Sequence, residues 1–325
     1  KRVAVAMRTY ASHASVAVSR AQKGARTRAH RRPLQVVAER TSLQEDDATG
    51  RRQALQGAAT VAAVLTLSMV SGTRPATAAT GEEAVRAAAL EAFKAKVPKF
   101  KAPAVLRVAF HDAGTFRVAS GDGGANASVA FELDRPESFG LKRGLRPIME
   151  ARAAMAGTPA EALSLADCIY LAGAYAVEAT GGPKLFDIVP IGRVDVQVPD
   201  PEGRLPEETL GGAALREHFA LSGFSAQELV ALSGAHTIGG KGFGDPLTFD
   251  NSYYVTLLAK PWADPKASKE DLEMLSHVGL PSDKTLADDE QNREWVEAFA
   301  KDDKLFFEFF GKAYLKMSSL GSGVV

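Results

Sequence analysis

The sequence predicts an all-α domain behind a basic leader, and three observations carry that expectation. Apolar residues recur at helical spacing in eight segments between Glu82 and Ser319. Helix-start chemistry marks two of these segments, at Asp167 and at Ser225. Alternating apolar patterns, the mark of strands, are short and few.

Glu82–Lys96 places Ala, Val and Leu at helical spacing in an Ala-rich context of high helix propensity. Ala104–Ala113 is apolar apart from Arg107, His111 and Asp112. Phe139–Ala156 is basic and amphipathic, and Ser164–Ala179 is apolar with Asp167 in its first turn, where a carboxylate favours the helix dipole. Leu210–Ser222, Ser225–Ser233, Asp289–Lys301 and Lys304–Ser319 complete the set. Ser225-Ala226-Gln227-Glu228 is a capping box, a specific start signal. Turn-rich linkers fill Gly121–Asn126, Gly181–Pro206 and Gly239–Pro246, and the best strand pattern is Asp187–Ile191. No repeat occurs at solenoid periods. The expected product is an all-α domain of about ten helices with long functional loops.

Charge divides the 325-residue chain more sharply than its balance of 39 basic and 39 acidic residues suggests. Residues 1–38 hold nine Lys or Arg and no carboxylate, the composition of an organelle transit peptide, assigned here to residues 1–50. Arg51-Arg52, the apolar stretch Ala58–Val70 and Ala76-Thr77-Ala78 read as a twin-arginine export signal over residues 51–78. The two addresses in tandem point to the chloroplast thylakoid lumen. Without the 13 basic and 4 acidic leader residues, residues 79–325 carry 26 basic against 35 acidic, a net charge near −9. An acidic domain of this kind does not seek nucleic acid. No apolar run is long enough to span a bilayer. A single cysteine, Cys168, excludes a disulfide framework and reads as a small buried hydrophobe.

Of six histidines, His13 and His30 belong to the leader. Arg107 and His111, at i and i+4, share one face of an apolar helix. Either a site uses both, or the arginine pairs with a carboxylate beside a satisfied histidine. His236 follows the capped helix, where Gly234 and Ala235 leave room for a large flat group. A lone histidine there is more often structural than a ligand, but a carboxylate such as Asp283 on its second nitrogen would favour a ligand. His218 reads as solvated, and His277 receives no role. Gly240-Lys241-Gly242-Phe243-Gly244 lacks the preceding strand of a dinucleotide site, and Gly234–Lys241 departs from a phosphate loop by an extra glycine and a missing Ser or Thr.

Taken together, these motifs resemble the ascorbate-peroxidase family of class I haem peroxidases. Leu106–Phe116 is similar to its distal helix and Leu229–Gly239 to its proximal segment. Gly123–Ser128, Gly192–Asp195, Glu202–Pro206, Phe249–Tyr254 and Pro281–Asp283 match in order, so the resemblance runs from about Glu82 to Gly321. Glu132–Glu137, Gly239–Pro246 and Lys260-Pro261-Trp262 are similar to a narrower branch, the lumenal ascorbate-peroxidase-like proteins of plants and algae.

The resemblance implies a haem-peroxidase fold of two lobes around a haem cleft, haem b as cofactor, and hydrogen peroxide plus a small reductant as substrates. It implies His111 as general base and acid, Arg107 as the stabiliser of developing charge, His236 as the iron ligand and Asp283 as its hydrogen-bond partner. Thr237 and Asp250 resemble part of a potassium or calcium site, with Asp245 where an Asn ligand is usual, and Lys99 matches a residue that contacts ascorbate.

Three departures stand out. Phe110 replaces a distal Trp, and Ser138 replaces the Asn that orients the distal histidine. The loop from His236 to Asp250 is shortened. It would otherwise carry the proximal Trp, a basic residue for a haem propionate and the Arg that anchors ascorbate, and Trp262 lies outside it. Two expectations follow: a lumenal peroxidase for which ascorbate is a poor substrate, or a non-catalytic protein on the same fold that associates with photosystem II or thylakoid membrane complexes.

Overall fold

The computed structural model describes residues 76–259 and 279–324. The leader through residue 75, the Lys260-Pro261-Trp262 motif and His277 lie outside these residues. Ten α-helices occur among the described residues. The first four are α1 (Ala76–Lys96), α2 (Ala102–Ala113), α3 (Lys142–Ala154) and α4 (Leu165–Ala179). Then come α5 (Gly212–Leu221), α6 (Ala226–Ser233), α7 (Ser252–Ala259) and the one-turn α8 (Pro281–Thr285). The last two are α9 (Glu290–Lys301) and α10 (Asp303–Ser319).

The capping box read at Ser225 is present, and three further caps accompany it. Ser164 Oγ accepts the Asp167 N–H, and Ser225 and Glu228 form the reciprocal capping box. Asp289 and Asp302 cap α9 and α10 in the same way. Helix α3 begins three residues later than the amphipathic pattern suggests, because Pro136–Ser138 forms a 3₁₀ turn and Gly140 takes a left-handed φ of 83°. That detour leaves the Glu137 and Phe139 carbonyls unspent, and the site uses them.

One expectation fails. Asp187–Ile191 is a turn, not a strand: the Ile188 and Val189 amides both bond back to the Leu185 carbonyl. Arg86 captures the Phe186 and Val189 carbonyls. The only pairing of strand type among the described residues is an isolated bridge between Arg117 and Asp122. Helices α7 and α8 were not foreseen. Ser252-Tyr253-Tyr254-Val255-Thr256 is rich in aromatic and β-branched residues, a poor helix prior that tertiary packing overrides.

The helices form two groups. α2 packs against α3 and α4, and α1 lies on α3. On the other side α6, α7, α9 and α10 pack together, and α10 reaches across to α2. Gly144 lets α3 approach the α2 backbone at Ala104, where any Cβ would collide. Near the C-terminus, Asp167 and Arg193 form an ion pair of 2.8 Å with side chains 4% and 0% exposed. Arg193 Nε also donates to the Ser318 carbonyl, and its guanidinium lies 4.6 Å from the Tyr170 ring centre. This contact fastens α4 to the end of α10.

Breaking a buried pair leaves an uncompensated charge, so Asp167→Ala should lower the unfolding free energy by about 3–5 kcal/mol. Arg146→Ala, at the exposed pair with Glu150, should cost less than about 1 kcal/mol. Urea denaturation of both variants checks the contrast, and equal losses would contradict it.

Candidate active site

Helix α2 carries Arg107 and His111 on one face, and the structure brings them into contact. Arg107 Nε donates to His111 Nε2 at 3.2 Å. The remaining guanidinium nitrogens donate to the Phe139 carbonyl at 2.8 Å and the Glu137 carbonyl at 3.0 Å. Thus the loop before α3 fixes the arginine fork over the histidine. Because Arg107 has no acceptor lone pair, His111 Nε2 must be the accepting nitrogen and the ring proton must sit on Nδ1. That Nδ1 is buried and has no hydrogen-bond partner. Ser138, buried in the same loop, supplies none. Burial, and then the Arg107 charge, push the His111 pKa down to about 3. The ring is therefore neutral near pH 7, with its basic nitrogen aimed at Arg107.

Asp112, the next residue, is completely buried. It accepts the Asn126 and Ala127 amides at 3.1 Å, the Val129 amide at 3.2 Å and the Tyr170 hydroxyl at 2.9 Å. Burial pushes its carboxyl up to about 7 against the Ala127, Tyr170 and Val129 donors. Its work is to hold the Asn126–Val129 loop on α2, including Ala127 at a left-handed φ of 64°. Phe110 stacks on Phe219 with ring centres 6.0 Å apart.

On the proximal side, α6 runs into a 3₁₀ turn, Gly234–Thr237, that presents His236. His236 Nδ1 lies 2.8 Å from Asp283 Oδ1, across 47 residues of chain. Asp283 sits in the first turn of α8, where Pro281 presets the helix, and its Oδ2 accepts the Leu280 amide at 2.7 Å. Tyr253 adds a third donor, its hydroxyl 2.8 Å from Asp283 Oδ1. Burial opposes ionisation of Asp283, but the His236 charge and these donors outweigh it and hold the carboxyl below its usual range. For His236 burial acts downward, and Asp283 reverses it to a net rise. The His236 side chain remains 37% exposed, and no described residue bonds its Nε2.

Gly239, just beyond the turn, abuts Pro103 of α2. Glu208, whose carbonyl accepts the Ser282 amide at 2.9 Å, lies within electrostatic reach of both Arg107 and His236.

The other sequence-derived residues divide. Thr237 Oγ1 donates to Asp250 Oδ1 at 2.9 Å, and the Ser252 amide donates to the same oxygen, so this pair is brought together. No cluster of three or more His, Cys, Asp or Glu arranged for a metal ion occurs among the described residues. Lys99 is exposed and lies near the Asp245 carboxylate. His218 is not solvated, as expected, but half-buried: its Nε2 lies 2.9 Å from the Arg204 carbonyl and 3.2 Å from Arg117. Nor does Gly234 leave room for a flat group, because a Cβ there would strike the Tyr254 hydroxyl and the Phe306 ring. Sequence reasoning gave no role to Asp112, Glu208 or Tyr253. A carboxylate directly after a histidine on an apolar helix was the available signal for Asp112. Nothing local marks Tyr253.

This geometry defines a helical protein with an arginine–histidine pair and a carboxylate-anchored histidine. The peroxidase family matches residues 83–302. A putative L-ascorbate peroxidase 6 of Arabidopsis thaliana is 49% identical over 70% of this chain, and the matched region spans 66% of that relative's length. The cytosolic L-ascorbate peroxidase 1 of Oryza sativa subsp. japonica is 40% identical over 76% of this chain and 96% of its own. A probable peroxisomal L-ascorbate peroxidase 3 of the same rice is 40% identical over 68% of this chain. The chain belongs to the peroxidase family, in its class I, ascorbate-peroxidase branch, a family that typically binds haem.

The buried neutral His111 makes the fold acid-sensitive. As pH falls, the unfolded chain takes up this proton near the ordinary value of 6.5, whereas the folded chain resists until about 3. Stability is therefore lost through that window, and going from pH 7 to pH 5 should cost about 2 kcal/mol from this group alone. Urea denaturation at both pH values should show His111→Gln losing less stability on acidification than the wild type. Equal losses would contradict the assignment.

Proposed function

We propose that this chain is a haem-dependent peroxidase that reduces hydrogen peroxide with a small reductant. One observation carries the reading: the fold holds both an Arg107–His111 pair and an Asp283-anchored His236, with Glu208 within electrostatic reach of Arg107 and of His236. The donor set fits haem iron. With the Nδ1 proton committed to Asp283, His236 keeps the Nε2 lone pair as a neutral ligand atom that no described residue occupies. Haem b bound there would supply the iron and macrocycle that take up the oxidising equivalents of the peroxide.

The residues of this chain do the rest. His111 Nε2 accepts the proton of one peroxide oxygen and returns it to the departing oxygen as water forms. For this Arg107 Nε–H must give way, and the guanidinium then stabilises negative charge on the leaving oxygen. Asp283 fixes the tautomer and orientation of His236.

For the reductant we favour a small neutral molecule over ascorbate. Lys99 remains the candidate contact, but Asp245 offsets its charge, and the Glu208 carboxylate, within electrostatic reach of Arg107 and His236, repels an anion. The names of the relatives favour ascorbate, which makes it the comparison substrate. We further propose that residues 1–78 direct the protein to the thylakoid lumen, as in the lumenal branch, and that Thr237 and Asp250 contribute to a potassium or calcium site. The partnerless His111 Nδ1 favours a second reading, a non-catalytic protein of this fold that associates with photosystem II or thylakoid membranes.

Residues 79–325 expressed with haem should give a Soret band that His236→Ala abolishes, and no band in the wild type would overturn the reading. Arg107→Ala should slow the reaction with peroxide by about 10²–10³-fold and His111→Ala by about 10²–10⁴-fold in stopped-flow traces. Wild-type turnover no faster than these variants would support the second reading.

A further inference from the structure

Asp283 Oδ1 is shared. It accepts from His236 Nδ1 at 2.8 Å and from the Tyr253 hydroxyl at 2.8 Å, while Oδ2 takes the Leu280 amide at 2.7 Å. Two donors on one oxygen compete for the same electron density. The more charge the phenol draws, the less the carboxylate pulls on the imidazole proton. Tyr253 is fully buried, and its ring is clamped edge-on by Phe243 at 4.8 Å and Tyr254 at 5.0 Å. It also lies edge-on to His236 itself, with ring centres 6.0 Å apart. The phenol is thereby held against Asp283 by α7, an element separate from both α6 and α8.

We infer that Tyr253 is a positioning residue that sets how strongly Asp283 polarises His236, and so how much electron density the histidine gives to bound iron. This rests on His236 being the iron ligand. Three protein donors share one carboxylate charge, and each weakens the hold of the others. Without the hydroxyl, the full charge of Oδ1 falls on the His236 N–H. The imidazole then gains imidazolate character, stabilises ferric over ferrous iron and lowers the reduction potential. A purely structural role gives no such sign. Loosened packing would weaken the His236–Asp283 bond and raise the potential instead.

The test is spectroelectrochemistry of the haem-loaded protein, with the iron–histidine stretch of the ferrous form read by resonance Raman. Tyr253→Phe should shift the reduction potential to more negative values and the stretch to higher frequency. Asp283→Asn should shift both the opposite way. Tyr253→3-fluorotyrosine, introduced by amber suppression, keeps the ring and strengthens the donor, so it should raise the potential, and it decides the matter should the phenylalanine variant fail to fold. Coincident potentials for wild type, Tyr253→Phe and Tyr253→3-fluorotyrosine, each with a full Soret band, would overturn the Tyr253 inference and leave the haem assignment standing. Absence of a Soret band in the wild type would overturn both.

Discussion

The hydrogen bond between His236 and Asp283 is the interaction on which the proximal half of the molecule turns. Neither residue can take its position alone. His236 stands on a 3₁₀ turn at the end of α6, and Asp283 in the first turn of an otherwise short helix, α8. The bond fixes the imidazole tautomer and leaves Nε2 free of any hydrogen bond to a described residue. It also gives a 3%-exposed carboxylate the partner its burial demands. Leu280 and Tyr253 complete the coordination of that carboxylate, so α6, α7 and α8 meet at one charged group.

The distal half solves the opposite problem. There the Glu137 and Phe139 carbonyls take the Arg107 fork, while the Asp112 carboxylate gathers three loop amides and the Tyr170 hydroxyl. His111 is left with one nitrogen engaged and one buried without a partner. An unpaired buried N–H costs on the order of 1–3 kcal/mol. The Asp112 network and the packing of α2 on α3 and α4 hold the histidine in place despite that cost. Such a tension between stability and local hydrogen bonding belongs at sites where chemistry is done.

Much of this was legible in the sequence wherever the signal was local. Capping residues and helical spacing placed eight of the ten helices. The i, i+4 spacing put Arg107 and His111 on one face, and the carboxylate sought for His236 proved to be Asp283. What was not legible depends on contacts between distant segments. The Tyr253 hydroxyl finds Asp283 thirty residues away. Nothing near Gly234 reveals that Tyr254 and Phe306 fill the space beside it. Asp187–Ile191 has the composition of a strand, but Pro190 lacks an amide proton and Arg86 claims two nearby carbonyls. His218 lies in a charged segment, and only the fold shows that Arg204 and Arg117 close over it.

Asp283 is thus the organising charge beside His236, and under the proposed function haem affinity reads its influence most directly. Absorbance titration of the apo-protein with haem should give Asp283→Ala a dissociation constant about 10–100-fold weaker than the wild type, the usual effect of removing the partner of a ligating histidine. Equal affinities, with both proteins folded, would contradict the account.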